Sequence, residues 1–262
     1  MGKVLTDYEA AAKHRYRIVS GGSSVPGVTT CIGILDKPGL AWAASKIAAE
    51  TMYDGLTCGL FDGYEREDLV MNVRGEFDRV WKEKAARGNR VHEIADRWTR
   101  GETVEVRDSD AGFVDALEMF HHGYQPKFLH TESIVLNKEL GFGGRLDFIG
   151  ELDGPEAQGV ILADFKSGSE RPLETALQAS GYWNSLLASY DESGALTGLQ
   201  DLPKLDGART IYLREDGSFK VVDPFEHISL DQAWEMFQAC LTLFKVNKQL
   251  NAVLKQGERN AE

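Results

Sequence analysis

The chain is poor in cysteine, in basic residues and in uninterrupted hydrophobic sequence, and each shortage narrows the field. Its three cysteines, Cys31, Cys58 and Cys240, lie far apart and form no C-x-x-C pair. That argues against a disulfide framework, a zinc ribbon or an iron–sulfur cluster, and it fits a reducing compartment. No stretch approaches the roughly 18 apolar residues of a membrane span. Met1 to Lys13 has no apolar core of the secretory type, so the expectation is a cytoplasmic protein with no membrane partner. Basic residues number 29 against 41 acidic, a net charge of −12. Phosphate contacts need Lys and Arg, so the balance taken alone disfavours a nucleic-acid partner. It does not exclude one: net charge is a global sum that permits a local basic groove, and carboxylates that hold a divalent cation are not available for repulsion.

What is present is the composition of a folded chain. With 42% hydrophobic and 27% charged residues over 262 positions, the sequence lacks the low hydrophobicity of disorder. It can bury a core large enough for one domain without covalent staples. No internal repeat or low-complexity tract interrupts it.

The first third reads as a short strand followed by helices. Tyr16 to Val19 is β-prone and is broken by Ser20-Gly21-Gly22-Ser23-Ser24. A helix is expected over Leu40 to Met52, and a second over Leu69 to Arg87. Gly88 is expected to interrupt or end that second helix, with a third over Asn89 to Arg100. Val91, Ile94, Ala95 and Trp98 mark one face of the third, and Phe113, Ala116, Leu117 and Phe120 mark one face of a fourth. Strands are then expected at Glu132 to Asn137, at Arg145 to Leu152 after Gly143-Gly144, and at Gly159 to Lys166. Asp153-Gly154-Pro155 forms a turn between the last two. The apolar run Val160 to Ala163 predicts a central strand with two buried faces. Leu173 to Tyr190 reads as helix. Arg209 to Arg214 and Ser218 to Val222 read as a hairpin about Glu215-Asp216-Gly217. A closing helix opens at Ser229, with Gln232 completing a capping box. Its residues Ala233, Trp234, Phe237, Leu241 and Phe244 are expected to face the body.

The segment from Gly143 to Tyr182 carries the chemistry. Alternation along a strand makes Asp164 and Lys166 project together, with Phe165 pointing away. If the strand holding Asp147 pairs with the one holding Asp164, two carboxylates and an ammonium converge at a strand end. Such repulsion is relieved by a proton, by Lys166 or by a divalent cation. Mg²⁺ takes oxygen ligands, keeps waters that a substrate can share, and lowers the pKa of a bound water. Asp-x-Lys alone is common on solvated strands, but here it ends an apolar run, where solvation explains it poorly.

Gly144-x-x-Asp147, Asp164-x-Lys166 and Gln178-x-x-x-Tyr182, in this order and spacing, resemble the PD-(D/E)XK nuclease superfamily, in particular its RecB-type exonuclease branch. Gly88-x-x-x-His92 is similar to the upstream histidine helix of that branch. Val25-Pro26-Gly27-Val28-Thr29-Thr30 and Leu35-Asp36-Lys37-Pro38 resemble phage-encoded and mitochondrial-maintenance exonucleases of the same branch. The resemblance spans most of the chain, with specific motifs only over residues 88 to 182.

It implies a restriction-endonuclease-like α/β (α+β) core, with a central mixed β-sheet flanked by helices and a helical N-terminal part. The implied organisation is a single nuclease domain over 1–262: a mostly helical part at 1–125, a catalytic sheet core at 126–225 and a C-terminal helix at 226–262. It further implies Asp147, Asp164 and Lys166 as catalytic residues. The Mg²⁺ or Mn²⁺ ligands would be His92, Asp147, Asp164 and the backbone carbonyl of Phe165, with Gln178 and Tyr182 supporting the site or the DNA. The expected activity is metal-dependent exonucleolytic hydrolysis of DNA in replication, recombination or repair. The partners would be DNA, single- or double-stranded, and a recombination or replication protein, in a bacterial host cytoplasm if the chain is phage-encoded. Relatives with an iron–sulfur cluster use three cysteines near the C-terminus, where this chain has Cys240 alone, so no cluster is expected.

Two alternatives stay open: a catalytically inactive DNA-binding or assembly protein on the same fold, and a metal hydrolase acting on another phosphoester. Glu132 could help hold a second metal or be an exposed strand residue. His121-His122 reads as surface, since neighbours on a helix diverge by about 100°. Lys82, Lys84, Arg87, Arg90, Arg97 and Arg100 form either a phosphate-tracking patch or a solvated helix face. Trp42, Trp81 and Trp183 are read as packing residues before stacking ones.

Overall fold

The computed structural model describes residues 5–35 and 38–259, so Asp36 and Lys37 of the Leu35–Pro38 run lie outside the described residues. In chain order the elements begin with α1 (Asp7–Ala12), β1 (Tyr16–Arg17), β2 (Ser24–Val25), α2 (Val28–Ile32), α3 (Pro38–Thr57) and α4 (Arg66–Thr99). A 3-10 turn (Asp108–Asp110) leads into α5 (Ala111–Tyr124). There follow β3 (Lys127–Asn137), β4 (Phe142–Gly154), β5 (Ala157–Lys166), α6 (Pro172–Trp183), β6 (Leu186–Tyr190), β7 (Leu196–Gln200), β8 (Gly207–Leu213), β9 (Phe219–Val222) and α7 (Leu230–Arg259). The chain divides into two compact units: the residues up to Ile34 together with those from His92 onward, and Leu35–Val91. The second unit is helical, formed by α3 and most of α4, and Phe77 stacks on Trp81 within it.

Among the described residues of the first unit, seven strands form one sheet in the order β7-β6-β3-β4-β5-β8-β9. It is mixed: β5 and β8 run parallel, and the other neighbours are antiparallel. The α/β architecture with a central mixed sheet flanked by helices is therefore the one expected. Val160 to Ala163 lies in β5, which has a strand on each side, as its apolar run requires. β4 and β5 join through Pro155-Glu156 alone, since Gly154 still pairs with Ala157. The turn thus sits beyond Asp153 and Gly154, which belong to the strand. Between β8 and β9, Gly217 takes φ +84° and the Asp216 carboxylate accepts from the Ser218 N–H. A glycine in that loop is a backbone requirement.

Consecutive residues of β5 face opposite ways. Phe165 packs on Phe120 of α5 and on Phe148, in an aromatic cluster that also includes Phe219. Asp164 faces α6, where Gln178 reaches it. Phe113, Ala116, Leu117 and Phe120 are all buried, as the spacing predicts. Helix α7 opens with Ser229 and Gln232 bonded reciprocally at 3.0 and 3.1 Å. Ala233, Phe237 and Leu241 are buried, while Trp234 and Phe244 are half-buried.

Two further expectations fail. Gly88 neither ends nor interrupts a helix: α4 is continuous from Arg66 to Thr99, because one interior glycine costs only about 1 kcal/mol relative to alanine. Leu173 to Tyr190 is helix only as far as Trp183. After a turn at Asn184 and Ser185 the remainder is β6, in which Leu186 and Leu187 pair with Leu136 and Val135 of β3. A short apolar run has no period of its own, and the open edge of β3 decides its state.

Beside backbone bonds such as Gly143 N–H to Pro26 O, one carboxylate ties the N-terminal segment to the sheet. Asp7 pairs with Arg17 at 2.9 Å and accepts from Ser20 Oγ at 2.6 Å, from Gly21 N at 3.1 Å and from Leu196 N, at the start of β7, at 3.1 Å. Burial opposes its charge, but these donors together hold the carboxyl well below the usual carboxylate range. Above it, Tyr16 and Ala11 pack on Ile134 and Leu136. Asp7→Ala should lower unfolding stability by about 3 kcal/mol in urea melts, since it strands a partly buried Arg17. The wild-type contribution should be complete above an ordinary Asp pKa and vanish as pH falls through the depressed folded value. An unchanged urea midpoint at neutral pH would refute this role.

Candidate active site

Strand pairing builds the site. β4 and β5 pair antiparallel with Phe148 opposite Ala163, so the next residues out are Asp147 and Asp164. Phe165 N–H donates to Asp147 Oδ2 at 2.7 Å. Lys166 projects with Asp164, and its ammonium lies 2.5 Å from Asp164 Oδ2. From α4, His92 Nδ1 stands 3.4 Å from Asp147 Oδ2. From α6, one Gln178 Nε2 donates both to Asp164 Oδ1 at 2.9 Å and to the Tyr182 hydroxyl at 3.0 Å. Every side chain expected in the site, His92, Asp147, Asp164, Lys166, Gln178 and Tyr182, is therefore brought to one place. Phe165 contributes its N–H, while its ring turns away into the aromatic cluster.

Gly144 explains itself in this frame. A Cβ there would lie 2.4 Å from Tyr182 Cε1, so the missing side chain lets the tyrosine ring lie against β4. The Gly144-x-x-Asp147 and Gln178-x-x-x-Tyr182 patterns are two sides of one contact. Gly144→Val should displace Tyr182 and cost about 2–3 kcal/mol through overpacking, read as a lower thermal midpoint with altered near-ultraviolet circular dichroism. Unchanged tyrosine signals would refute the contact.

The electrostatics of the two carboxylates diverge. Burial opposes the Asp147 charge, yet His92, Lys166 and the Phe165 N–H outweigh it and hold the carboxyl below its ordinary value. Burial pushes Asp164 up against the pull of Lys166, and the Asp147 charge adds to the rise. Burial works against the Lys166 ammonium, but the two carboxylates win and raise its pKa. Asp147 raises His92 against its burial. The resting arrangement is thus an anionic Asp147 beside a readily protonated His92, and an Asp164 that takes a proton more easily than its neighbour.

Around this centre lie two further acids, Glu132, which the sequence offered either as a second-metal ligand or as an exposed strand residue, and Asp96, which sequence reasoning missed. Glu132, on β3, has φ +46° and pairs with Arg145 at 2.8 Å. Burial and then Asp147 push its carboxyl up to about 7, so it is neither a solvated strand residue nor a bare carboxylate. Asp96 lies one helical turn beyond His92, and its Oδ1 is buried without a hydrogen bond. The i, i+4 spacing from His92 was the signal available for it. Arg97 and Arg100 are paired with Glu102, and Arg100 also with Asp96. Those two arginines of the basic run are therefore partly neutralised. His121 and His122 are exposed, and Trp183 packs edge-on against Phe225.

Among the described residues, no three His, Cys, Asp or Glu side chains stand close enough together to enclose a cation. Lys166 and His92 instead occupy the carboxylates. The donor chemistry still fits a hard divalent ion: two carboxylates and an imidazole face one strand end, and the buried Asp164 Oδ2 has the Lys166 ammonium as its partner. Among the described residues no helix is long and apolar enough to cross a membrane. Comparison with protein-family models finds no match, and comparison with curated proteins finds no similar sequence.

In metal-free protein the His92 ring should titrate above the ordinary imidazole value of 6.5, and Asp147→Asn should bring it down. The sign follows from the raised value: protonated His92 stabilises the fold fully below its unfolded pKa, and the gain is lost as pH rises through the folded one. Histidine NMR titration of both proteins checks this, and a wild-type value at or below 6.5 would contradict it.

Proposed function

We propose that the chain is a metal-dependent deoxyribonuclease of the PD-(D/E)XK superfamily, RecB-type branch, acting from DNA ends. The observation that carries this reading is the convergence of Asp147, Asp164 and Lys166 with the Gln178–Tyr182 pair and His92. In this reading His92, Asp147, Asp164 and the Phe165 carbonyl hold Mg²⁺ or Mn²⁺. The ion, when bound, supplies charge neutralisation at the phosphate and an acidified water.

The chain's own groups do the rest. Lys166 presents a compact ammonium to the phosphoryl oxygens, whose charge grows as water oxygen bonds to phosphorus and the ester oxygen departs with a proton. Gln178 fixes Asp164 through one oxygen and leaves the other free of any hydrogen bond except its ion pair with Lys166. Tyr182, its hydroxyl held by Gln178, props α6 against β4 at Gly144. Loading a cation must displace the His92 proton, so affinity falls with acid.

A second reading, a DNA-binding or assembly protein that does not cleave, is favoured by one feature: both carboxylates are already paired within the chain. End-labelled single-stranded, duplex and circular DNA in Mg²⁺, Mn²⁺ or EDTA separates the two. The nuclease reading expects metal-dependent loss of linear but not circular substrate. Lys166→Ala and Asp164→Asn should each cost on the order of 10²–10³ in turnover without changing the thermal midpoint by more than a few degrees. Wild-type turnover in Lys166→Ala would sink it, and binding without cleavage in Mn²⁺ would transfer the assignment to the second reading.

A further inference from the structure

Helix α7 carries two apolar stripes, and the body covers one of them. Ala233, Phe237, Cys240 and Leu241 are buried. Met236, Ala239, Leu243, Val246, Leu250 and Val253 are exposed, Leu250 at 59% and Val253 at 65%. These six recur at intervals of 3, 4, 3, 4 and 3 residues, the a/d spacing of a coiled-coil seam rather than the wider stripe of a helix lying on a sheet. Every side chain from Lys245 to Leu254 is exposed. Apart from the Lys245 ammonium, which donates to the Leu140 carbonyl, the last part of α7 buries no side chain against the body, although such packing is what normally sustains a helix in water. A patch of this kind on a folded chain marks an interaction site.

We propose that α7 is a self-association element, joining copies of this chain through the Met236–Val253 seam. The flanking positions choose the partner. With Leu243 and Leu250 at a, the e positions beyond the docked part are Asn247 and Leu254, and the g positions are Thr242, Gln249 and Gln256. All are uncharged, in a chain of net charge −12. A helix selected by charge would need counter-charges here. Past Glu235, the g residue beside Met236, a second copy of the same helix meets no like-charge repulsion along the seam, while Lys245 and Lys248 stay at the outer c and f positions. Because Phe237 and Leu241 anchor the first half of the helix to the body, that half of the seam is presented already folded, and association has to order only the last turns. The order Leu at a with Val at d, β-branched at d, shifts preference from two-stranded pairing towards bundles of more helices.

Light scattering on the full chain after size exclusion tests this without reference to activity. Wild-type protein should give a mass that is a multiple of 29.0 kDa. The double variant Leu243→Glu with Leu250→Glu should fall to the single-chain mass, with far-ultraviolet circular dichroism changed only by fraying of the last helical turns. Lys248→Glu, off the seam, should assemble like wild type. A wild-type mass of one chain at every concentration would overturn the proposal, whether the stripe exchanges hydrogen freely or is protected by its own chain. So would an assembled double variant, or dissociation by Lys248→Glu to the same degree.

Discussion

The antiparallel register of β4 against β5 is the constraint on which the site depends. With Phe148 opposite Ala163, Asp147 and Asp164 are carried to the same end of adjacent strands and face each other. A slip of one residue would send one carboxylate to the opposite face. The register is held by a two-residue turn at Pro155-Glu156 and by seven ladder pairs between the strands. It is also held from inside by the aromatic cluster of Phe120, Phe148 and Phe165. The packing of one sheet face thus positions the charges of the other.

Bringing two carboxylates together costs free energy that the surrounding groups must offset. His92 and the Phe165 N–H serve Asp147, while Lys166 and Gln178 serve Asp164. Because the two sets of partners differ, the two acids differ: one is held anionic, and the other is inclined to carry a proton. Outside them, Glu132 is held by Arg145 and Asp96 by Arg100, so each acid around the centre has a basic partner.

Elsewhere the fold uses the same device in a neutralised form. Asp7 has four donors and no counterpart acid, so it joins the N-terminal segment to β7 and offers no comparable acidic pair. The contrast between Asp7 and Asp164 is one of environment. Both are enclosed carboxylates, but at Asp164 burial prevails and the neighbouring acid adds to the rise, whereas at Asp7 the donors prevail.

Much of this was legible in the residues themselves. The strand-end Asp164-x-Lys166, the i, i+4 pair Gln178 and Tyr182, the Ser229–Gln232 capping box and the loop at Asp216-Gly217 are local patterns, and local geometry enforces them. The 3.6-residue period likewise marked Phe113, Ala116, Leu117 and Phe120 as one buried face. What the tertiary structure alone decided is non-local. Leu186 to Tyr190 becomes a strand because β3 offers an edge. Gly144 has to be glycine because a tyrosine ring from another element lies against it. Glu132, Arg145 and Asp96 join the site only when β3, β4 and α4 meet. Strand pairing and side-chain contact are properties of two segments at once, and no window along one segment contains them.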